Sequence, residues 1–170
     1  IQGHKTMFPI TLAEAASWDL ELIEQGARVA AIEAAAQGLN WTFAPMVDVT
    51  RDARWGRVME GAGEDPYLGA VIGAARVKGF QGDDLSKEDT ILASVKHFAG
   101  YGFAEAGKEY NTAEISQVTL LNTVLQPFRD VLENANPRSF MNAFNTINGV
   151  PATGDVDLQR RLLKGDWGFD

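Results

Sequence analysis

The 170-residue sequence contains no cysteine, which excludes disulfide bonds and thiolate metal sites. Its two histidines, His4 and His97, are too few and too far apart to predict a zinc site, and we expect neither a metal nor a cofactor. No run of about 18 apolar residues is present, so no membrane-spanning helix is predicted. Because there is also no internal repeat and no Gly/Ser/Pro-rich linker, the sequence predicts one domain or part of one.

Positive charge is in short supply. Lysine and arginine number 15 against 23 aspartates and glutamates, which gives a net charge of −8. An acidic surface repels phosphate backbones, so we expect no nucleic-acid partner. A neutral or cationic small substrate is compatible with this charge, although an acidic surface is also common in proteins that are merely soluble.

The apolar pattern alternates between short continuous runs and segments with helical spacing. Runs at 41–47, 91–95 and 139–144 predict buried strands, and Pro45 predicts the end of the first strand or a bulge in it. Helices are predicted at 18–37, from Asp65-Pro66 onward, from Ser116 onward with a kink at Pro127, and at 157–164 with an end at Gly165. This order indicates an α/β fold with a parallel sheet and crossover helices, either doubly wound or part of a (β/α)8 barrel.

Each predicted strand is followed directly by polar residues. In parallel α/β folds such residues meet at the carboxyl edge of the sheet, where active sites form. The polar residues concerned are Asp48, Arg51, Asp52, Arg54 and Arg57 after the first strand, Lys96 and His97 after the second, and Asn142 and Asn145 after the third.

Structural roles compete with functional ones at these positions. Taken without any family resemblance, Arg57 is better explained as a surface arginine or as the ion-pair partner of Glu60 or Glu64. Lys96 and His97 can face one pocket only if the strand bends or bulges, because neighbouring side chains of a regular strand point to opposite faces. The tryptophans Trp41, Trp55 and Trp167 can stack on sugar rings but more often pack in a core.

Two other motifs do not predict a site. The pair Glu64-Asp65 is not interpreted as catalytic, because Asp65 is better explained as a helix cap. The glycines of Gly61-Ala62-Gly63 lack the spacing of a dinucleotide fingerprint, which argues against a nucleotide-binding dehydrogenase.

Several segments together resemble the glycoside hydrolases of family 3, and most closely the bacterial β-glucosidases among them. The resemblance runs along the whole chain in the family's order, and its motifs are specific as a set. They are Phe43-Ala44-Pro45-Met46-Val47-Asp48, Arg54-Trp55-Gly56-Arg57, Glu64-Asp65-Pro66-Tyr67, Lys96-His97-Phe98, Asn148-Gly149-Val150-Pro151-Ala152-Thr153 and Trp167-Gly168-Phe169.

The resemblance implies that residues 1–170 are an internal part of one (β/α)8 (TIM-type) domain of a retaining, exo-acting β-glucosidase. In such enzymes one carboxylate attacks the anomeric carbon and another serves as acid and then base. Carried over by motif, Arg57, Lys96 and His97 bind the hydroxyls of the sugar, and Met141 and Phe144 line the same pocket.

The resemblance also implies what the chain does not contain. The family's nucleophilic aspartate falls several residues beyond Asp170, and a sugar-binding aspartate falls two residues before Ile1. We therefore expect no catalytic residue within the chain, no turnover by the chain alone, and the rest of the parent polypeptide as its partner. Alternatives are a non-catalytic sugar-binding remnant and a β-xylosidase or another exo-glycosidase. Many relatives are exported, so a periplasmic or extracellular location is expected over a cytoplasmic one.

Overall fold

Three parallel strands form the central sheet. In the computed structural model, which describes residues 5–170, these are β1 (Trp41–Thr42), β2 (Leu92–Phe98) and β4 (Ser139–Asn142), in the order β1-β2-β4. Trp41 is paired with Leu92, and Ser94 with Ser139. The predicted α/β fold with parallel strands is confirmed.

Helices connect these strands and cover one face of the sheet. The α-helices are α1 (Thr11–Ala15), α2 (Leu20–Ala35), α3 (Pro66–Gln81), α4 (Gln117–Thr119) and α5 (Gln126–Ala135). Two segments, Leu120–Val124 and Asp157–Asp166, are π-helical. Short 3₁₀ turns lie at Val58–Glu60, Tyr101–Phe103, Glu105–Gly107 and Ala152–Gly154. Within residues 5–170, no helix is both long and apolar enough to cross a membrane.

Side-chain caps start the two long helices where the sequence predicts. The carboxylate of Asp19 accepts the backbone N–H of Leu22 at 3.0 Å, and that of Asp65 accepts the N–H of Leu68 at 2.6 Å. Pro66 follows Asp65 in the first turn, where its missing N–H leaves no hydrogen bond unmade. The interpretation of Asp65 as a cap is therefore confirmed.

The helix that begins after Ser116 is interrupted, as Pro127 predicts. Before the proline the hydrogen bonds widen, so that the N–H of Leu125 reaches the carbonyl of Leu120 at 2.9 Å, and α5 then begins at Gln126. Val124 and Phe128 are buried in this region, whereas Leu121 is exposed. The last helix differs from the prediction. It is π-helical as well, and it ends at Asp166 instead of at Gly165.

The main core lies between the sheet and helices α2, α3 and α5. Phe98 of β2 is its aromatic centre, with ring centroids 5.3 Å from Phe128, 5.8 Å from Trp167 and 6.0 Å from Phe140. Other buried members include Ala31, Val47, Val77, Ala93, Val95 and Val131. Small residues let α2 and α3 approach closely, and a Cβ on Gly79 would collide with the backbone of α2.

The prediction of one continuous buried strand over 41–47 is wrong. Only Trp41 and Thr42 form a regular ladder, although Val47 still donates to the carbonyl of Lys96 at 2.9 Å. The ladder breaks because Pro45, which follows a cis peptide bond, has no N–H to donate. Trp41 and Phe43 are half exposed, so the first part of the segment does not belong to the core.

A second small sheet includes the segment that follows β4. It consists of β3 (Thr112–Ala113), β5 (Thr146–Ile147) and β6 (Val150–Pro151), with β5 and β6 joined as a hairpin. Asn148 and Gly149 form the turn, and both have positive φ angles, as a tight hairpin requires. The Asn148 amide also accepts from Ile115 N–H and donates to Ile115 C=O, each at 2.8 Å.

Candidate active site

The carboxyl edge of the sheet collects the polar residues that the sequence singles out. β2 ends with Lys96, His97 and Phe98, the segment after Val47 brings Asp48 and Arg57, and β4 ends beside them. The register between β2 and β4 shifts here, since Lys96 pairs with Met141 but Phe98 pairs with Asn142. A bulge of the kind that Lys96 and His97 would need in order to face one pocket is thus present, and the peptide bond between the two residues is cis.

Lys96 and His97 have different partners. The Lys96 ammonium lies 3.1 Å from a carboxylate oxygen of Glu60. The His97 Nδ1 lies 2.8 Å from Oδ2 of Asp48, which also accepts the His97 backbone N–H at 2.9 Å. Asp48 and His97 are both buried, so this pair fixes the His97 ring inside the protein.

Arg57 pairs with Glu60, one of the two ion-pair partners that the sequence offers. Its Nε and Nη2 donate to the two oxygens of the Glu60 carboxylate at 2.5 and 2.8 Å. The 3₁₀ turn Val58–Glu60 makes this possible, because residues three apart lie on the same side of such a turn. The hydrogen bonds from Arg57, reinforced by Lys96, hold the pKa of Glu60 at about 2, although burial alone would raise it. The Glu60 hydrogen bonds in turn raise the pKa of Arg57.

Aromatic rings surround these charges. The buried ring of Tyr101 lies 4.9 Å from His97, 5.3 Å from Trp55 and 5.8 Å from Phe144, measured between centroids. The Arg57 guanidinium lies 5.5 Å from the Tyr101 ring centre, a cation–π contact. The Tyr101 hydroxyl donates to Glu109, and burial together with that carboxylate raises the pKa of Tyr101 to about 12.

Phe144 and Met141 reach this edge in different ways. Phe144 is half exposed, and its ring lies 5.0 Å from that of the exposed Tyr110 and 6.2 Å from that of His97. Met141 is partly buried beside Lys96 in the ladder. The structure therefore brings Arg57, Lys96, His97 and Phe144 into one cluster, with Met141 at its edge. Their roles toward a sugar stay predictions.

A cavity of about 600 Å³ opens next to this cluster. Lys96, Glu60 and Met46 line it at the cluster, and Trp41 and Phe43 also belong to its lining. The half-exposed Trp41 offers a ring surface to this cavity, whereas Trp55 is buried and Trp167 packs on Phe98. Trp41 pairs with Leu92 at the start of β2, away from the carboxyl edge, so its exposed ring does not belong to the cluster.

Tyr101 is the residue at this edge to which the sequence assigned no role, and its ring packs against His97. Asp48 was predicted only as a polar residue after a strand, and it holds the His97 ring. Glu60 was predicted only as a partner of Arg57, and it also pairs with Lys96. Nothing in the local pattern at Tyr101 indicates that its ring turns toward His97.

The arrangement combines charged hydrogen-bond donors with aromatic rings. Arg57 and Lys96 supply charged N–H donors, which form strong hydrogen bonds with hydroxyl oxygens, and the aromatic rings offer apolar surface to a sugar's C–H face. Glu60 already accepts hydrogen bonds from both cations, and Asp48 accepts from His97. Within residues 5–170, no group of three or more His, Asp or Glu residues could hold a metal ion.

The cationic and aromatic cluster lies at the carboxyl edge of a parallel α/β sheet, which is where active sites form in this class of fold. Residues 1–170 match the glycosyl hydrolase family 3 N-terminal domain, and the chain belongs to this family. The family and the parallel sheet together define the fold as part of a (β/α)8 TIM-type barrel.

Individual relatives are similar over nearly the full chain. A periplasmic β-glucosidase of Salmonella typhimurium is 46% identical over 99% of this chain, and a β-xylosidase of Formosa agariphila is 36% identical over 99%. A solved structure of a mutant β-glucosidase from Listeria innocua with laminaribiose has a TM-score of 0.95 at 46% identity, over 99% of this chain. A second structure of that enzyme, with glucose, has a TM-score of 0.93.

The chain is much shorter than these relatives. It spans 22% of the Salmonella enzyme and 24% of the Formosa enzyme, and it also covers 24% of the Listeria chain.

Proposed function

We propose that this chain supplies the sugar-binding edge of an exo-acting, retaining β-glucosidase, within a longer polypeptide whose (β/α)8 domain includes residues 1–170. The observation that carries this proposal is the convergence of Arg57, Lys96 and His97 on one edge of the sheet. Saccharide substrates are supported by the Listeria β-glucosidase, whose structures hold glucose and laminaribiose.

In the proposed reaction the chain binds and orients the terminal β-D-glucosyl ring. Arg57 and Lys96 donate hydrogen bonds to its hydroxyls, while Phe144 and Met141 border the ring. Contacts that tighten as the ring distorts toward the transition state would lower the barrier. The proposal assigns the attacking carboxylate and the acid/base to the remainder of the polypeptide. Asp48 is buried and accepts from His97, and Glu60 accepts from Arg57 and Lys96, so neither is free to attack a sugar.

It follows that the 170-residue chain alone does not turn over glucosides. Retention needs two carboxyl groups about 5–5.5 Å apart on either side of the glycosidic bond, one of them free to form a covalent bond to the sugar. The periplasmic relative from Salmonella supports an exported parent protein.

The test compares the longer polypeptide with the 170-residue chain on an aryl β-glucoside, with the first-formed sugar anomer followed by proton NMR. The proposal expects hydrolysis by the longer polypeptide alone, with β-glucose appearing before its α-anomer. Hydrolysis by the isolated chain, or α-glucose as the first product, would contradict it.

A β-xylosidase is the second candidate, and the Formosa relative favours it. The two sugars differ by the hydroxymethyl group at C5, so the deciding comparison is kcat/KM on aryl β-glucoside and aryl β-xyloside. A larger kcat/KM on the xyloside would replace the glucosidase proposal. Glucose binding without hydrolysis of either glycoside would instead indicate a non-catalytic sugar-binding protein.

A further inference from the structure

The carboxylate of Glu60 joins two cations that come from different parts of the chain. Arg57, three residues earlier, donates from Nε and Nη2 to its two oxygens at 2.5 and 2.8 Å. Lys96, at the end of β2, places Nζ 3.1 Å from the oxygen that Arg57 Nη2 also contacts. Since both nitrogens touch one oxygen, they lie no more than about 6 Å apart.

The partial burial of these three side chains makes the placement of the two cations depend on the Glu60 carboxylate. The side chains of Lys96, Arg57 and Glu60 are 12%, 26% and 35% exposed, so solvent screens their charges only in part. Two cations this close repel each other unless an anion lies between them. In the described part of the chain, Glu60 is the carboxylate that pairs with either cation.

The same contacts make Glu60 unsuited to attack a sugar or remove a proton. One oxygen accepts from Arg57 Nε, and the other accepts from both Arg57 Nη2 and Lys96. A carboxylate whose lone pairs face charged donors is a weak base and a weak nucleophile. Its remaining use is to fix where the two cations stand.

We propose that Glu60 is a positioning residue that sets the spacing and direction of the two hydroxyl-binding cations, Arg57 and Lys96. The inference rests on the proposed function, because it assigns Glu60 a role through groups that bind the sugar. It makes sugar binding depend on a side chain that does not itself touch the sugar.

The experiment uses the longer polypeptide and compares Glu60→Gln with Glu64→Gln. Glutamine keeps the shape of Glu60 but points an N–H₂ group toward donors. Glu64 is an exposed carboxylate four residues further along the chain and serves as the matched control. We expect Glu60→Gln to lower kcat/KM about 100-fold, chiefly through a higher KM, and Glu64→Gln to stay within about twofold of wild type.

A double-mutant cycle separates positioning from a general loss of structure. In the Arg57→Met background one of the two cations is already gone, so the further effect of Glu60→Gln should fall to about tenfold or less. An undiminished effect in that background would overturn the proposal, because Glu60 would then act by itself. Glucose affinity and thermal unfolding are measured on each variant, so that misfolding is seen directly.

The remaining outcomes are distinct. If wild type is active and Glu60→Gln behaves like Glu64→Gln, positioning by Glu60 is refuted and the proposed function stands. If wild type neither hydrolyses β-glycosides nor binds glucose, the proposed function fails and this inference fails with it.

Discussion

Gly79 and Gly69 offer a matched test of how closely α2 and α3 pack. Both glycines lie within α3. A Cβ added to Gly79 would lie 2.6 Å from Ala27 Cβ and 3.0 Å from the Arg28 backbone nitrogen, and would also collide with the Glu24 carbonyl oxygen. A Cβ added to Gly69 would meet no atom within 4 Å.

The magnitudes follow from two opposing effects. Alanine stabilises a helix interior by about 1 kcal/mol relative to glycine, so Gly69→Ala should raise the free energy of unfolding by up to that amount. At Gly79 the same gain is opposed by overpacking, which costs about 1–3 kcal/mol. We take the upper end, because the obstacle is the backbone of a helix and not the end of a flexible side chain. Gly79→Ala should then destabilise by about 2 kcal/mol.

The assay is thermal and urea unfolding of both variants, followed by circular dichroism. A difference of about 3 kcal/mol between the variants corresponds to roughly 6–12 °C in Tm for a chain of this size. If the two variants change stability with the same sign and by similar amounts, α2 and α3 do not approach as closely as described.

Three further predictions concern local contacts. Because the pKa of Glu60 is held at about 2, below its usual value, its ion pairs contribute stability above about pH 4.5 that is lost as the pH falls toward 2. The difference between the urea midpoints at pH 7 and pH 3 should therefore be smaller for Glu60→Gln than for wild type. Equal differences in the two proteins would contradict this. Asp65→Ala should cost about 1 kcal/mol through loss of the α3 cap, measured by urea unfolding, with the exposed Asp83→Ala as the control. Asn148→Ala should cost about 2 kcal/mol, because it removes both hydrogen bonds to Ile115 and a residue that tolerates positive φ; a cost below about 0.5 kcal/mol would show that the hairpin does not need them.

Local chemistry made part of the fold predictable. Asp65 followed by Pro66 marks a helix start in any sequence, and Pro127 must break the bonding of the turn before it, so both features were predictable from single residues. The order of strands and helices likewise indicated a parallel sheet. Pro45 pointed to the place where the first strand ends, but the exposure of Trp41 and Phe43 depends on which neighbouring elements cover them, and local sequence does not specify that.

The position of the candidate site was predictable from the sequence, but the arrangement of its side chains was not. Its position at the carboxyl edge follows from polar residues after buried strands, and the motif resemblance identified Arg57, Lys96 and His97. Their arrangement depends on the shifted register between β2 and β4, which directs Lys96 to Glu60 and His97 to Asp48. Such a shift arises from the pairing of strands far apart in the sequence and leaves no mark on either strand alone.

The most direct test of the central claim, that this edge binds the hydroxyls of a glucosyl ring, is kcat/KM of the Lys96→Met variant of the longer polypeptide on an aryl β-glucoside. Lys87→Met, at an exposed lysine in the loop before β2, is the control. A charge-assisted hydrogen bond to the sugar is worth about 1.5–3 kcal/mol, so Lys96→Met should lower kcat/KM about 10- to 100-fold while Lys87→Met leaves it unchanged. Equal kcat/KM values for both variants and wild type would contradict the account.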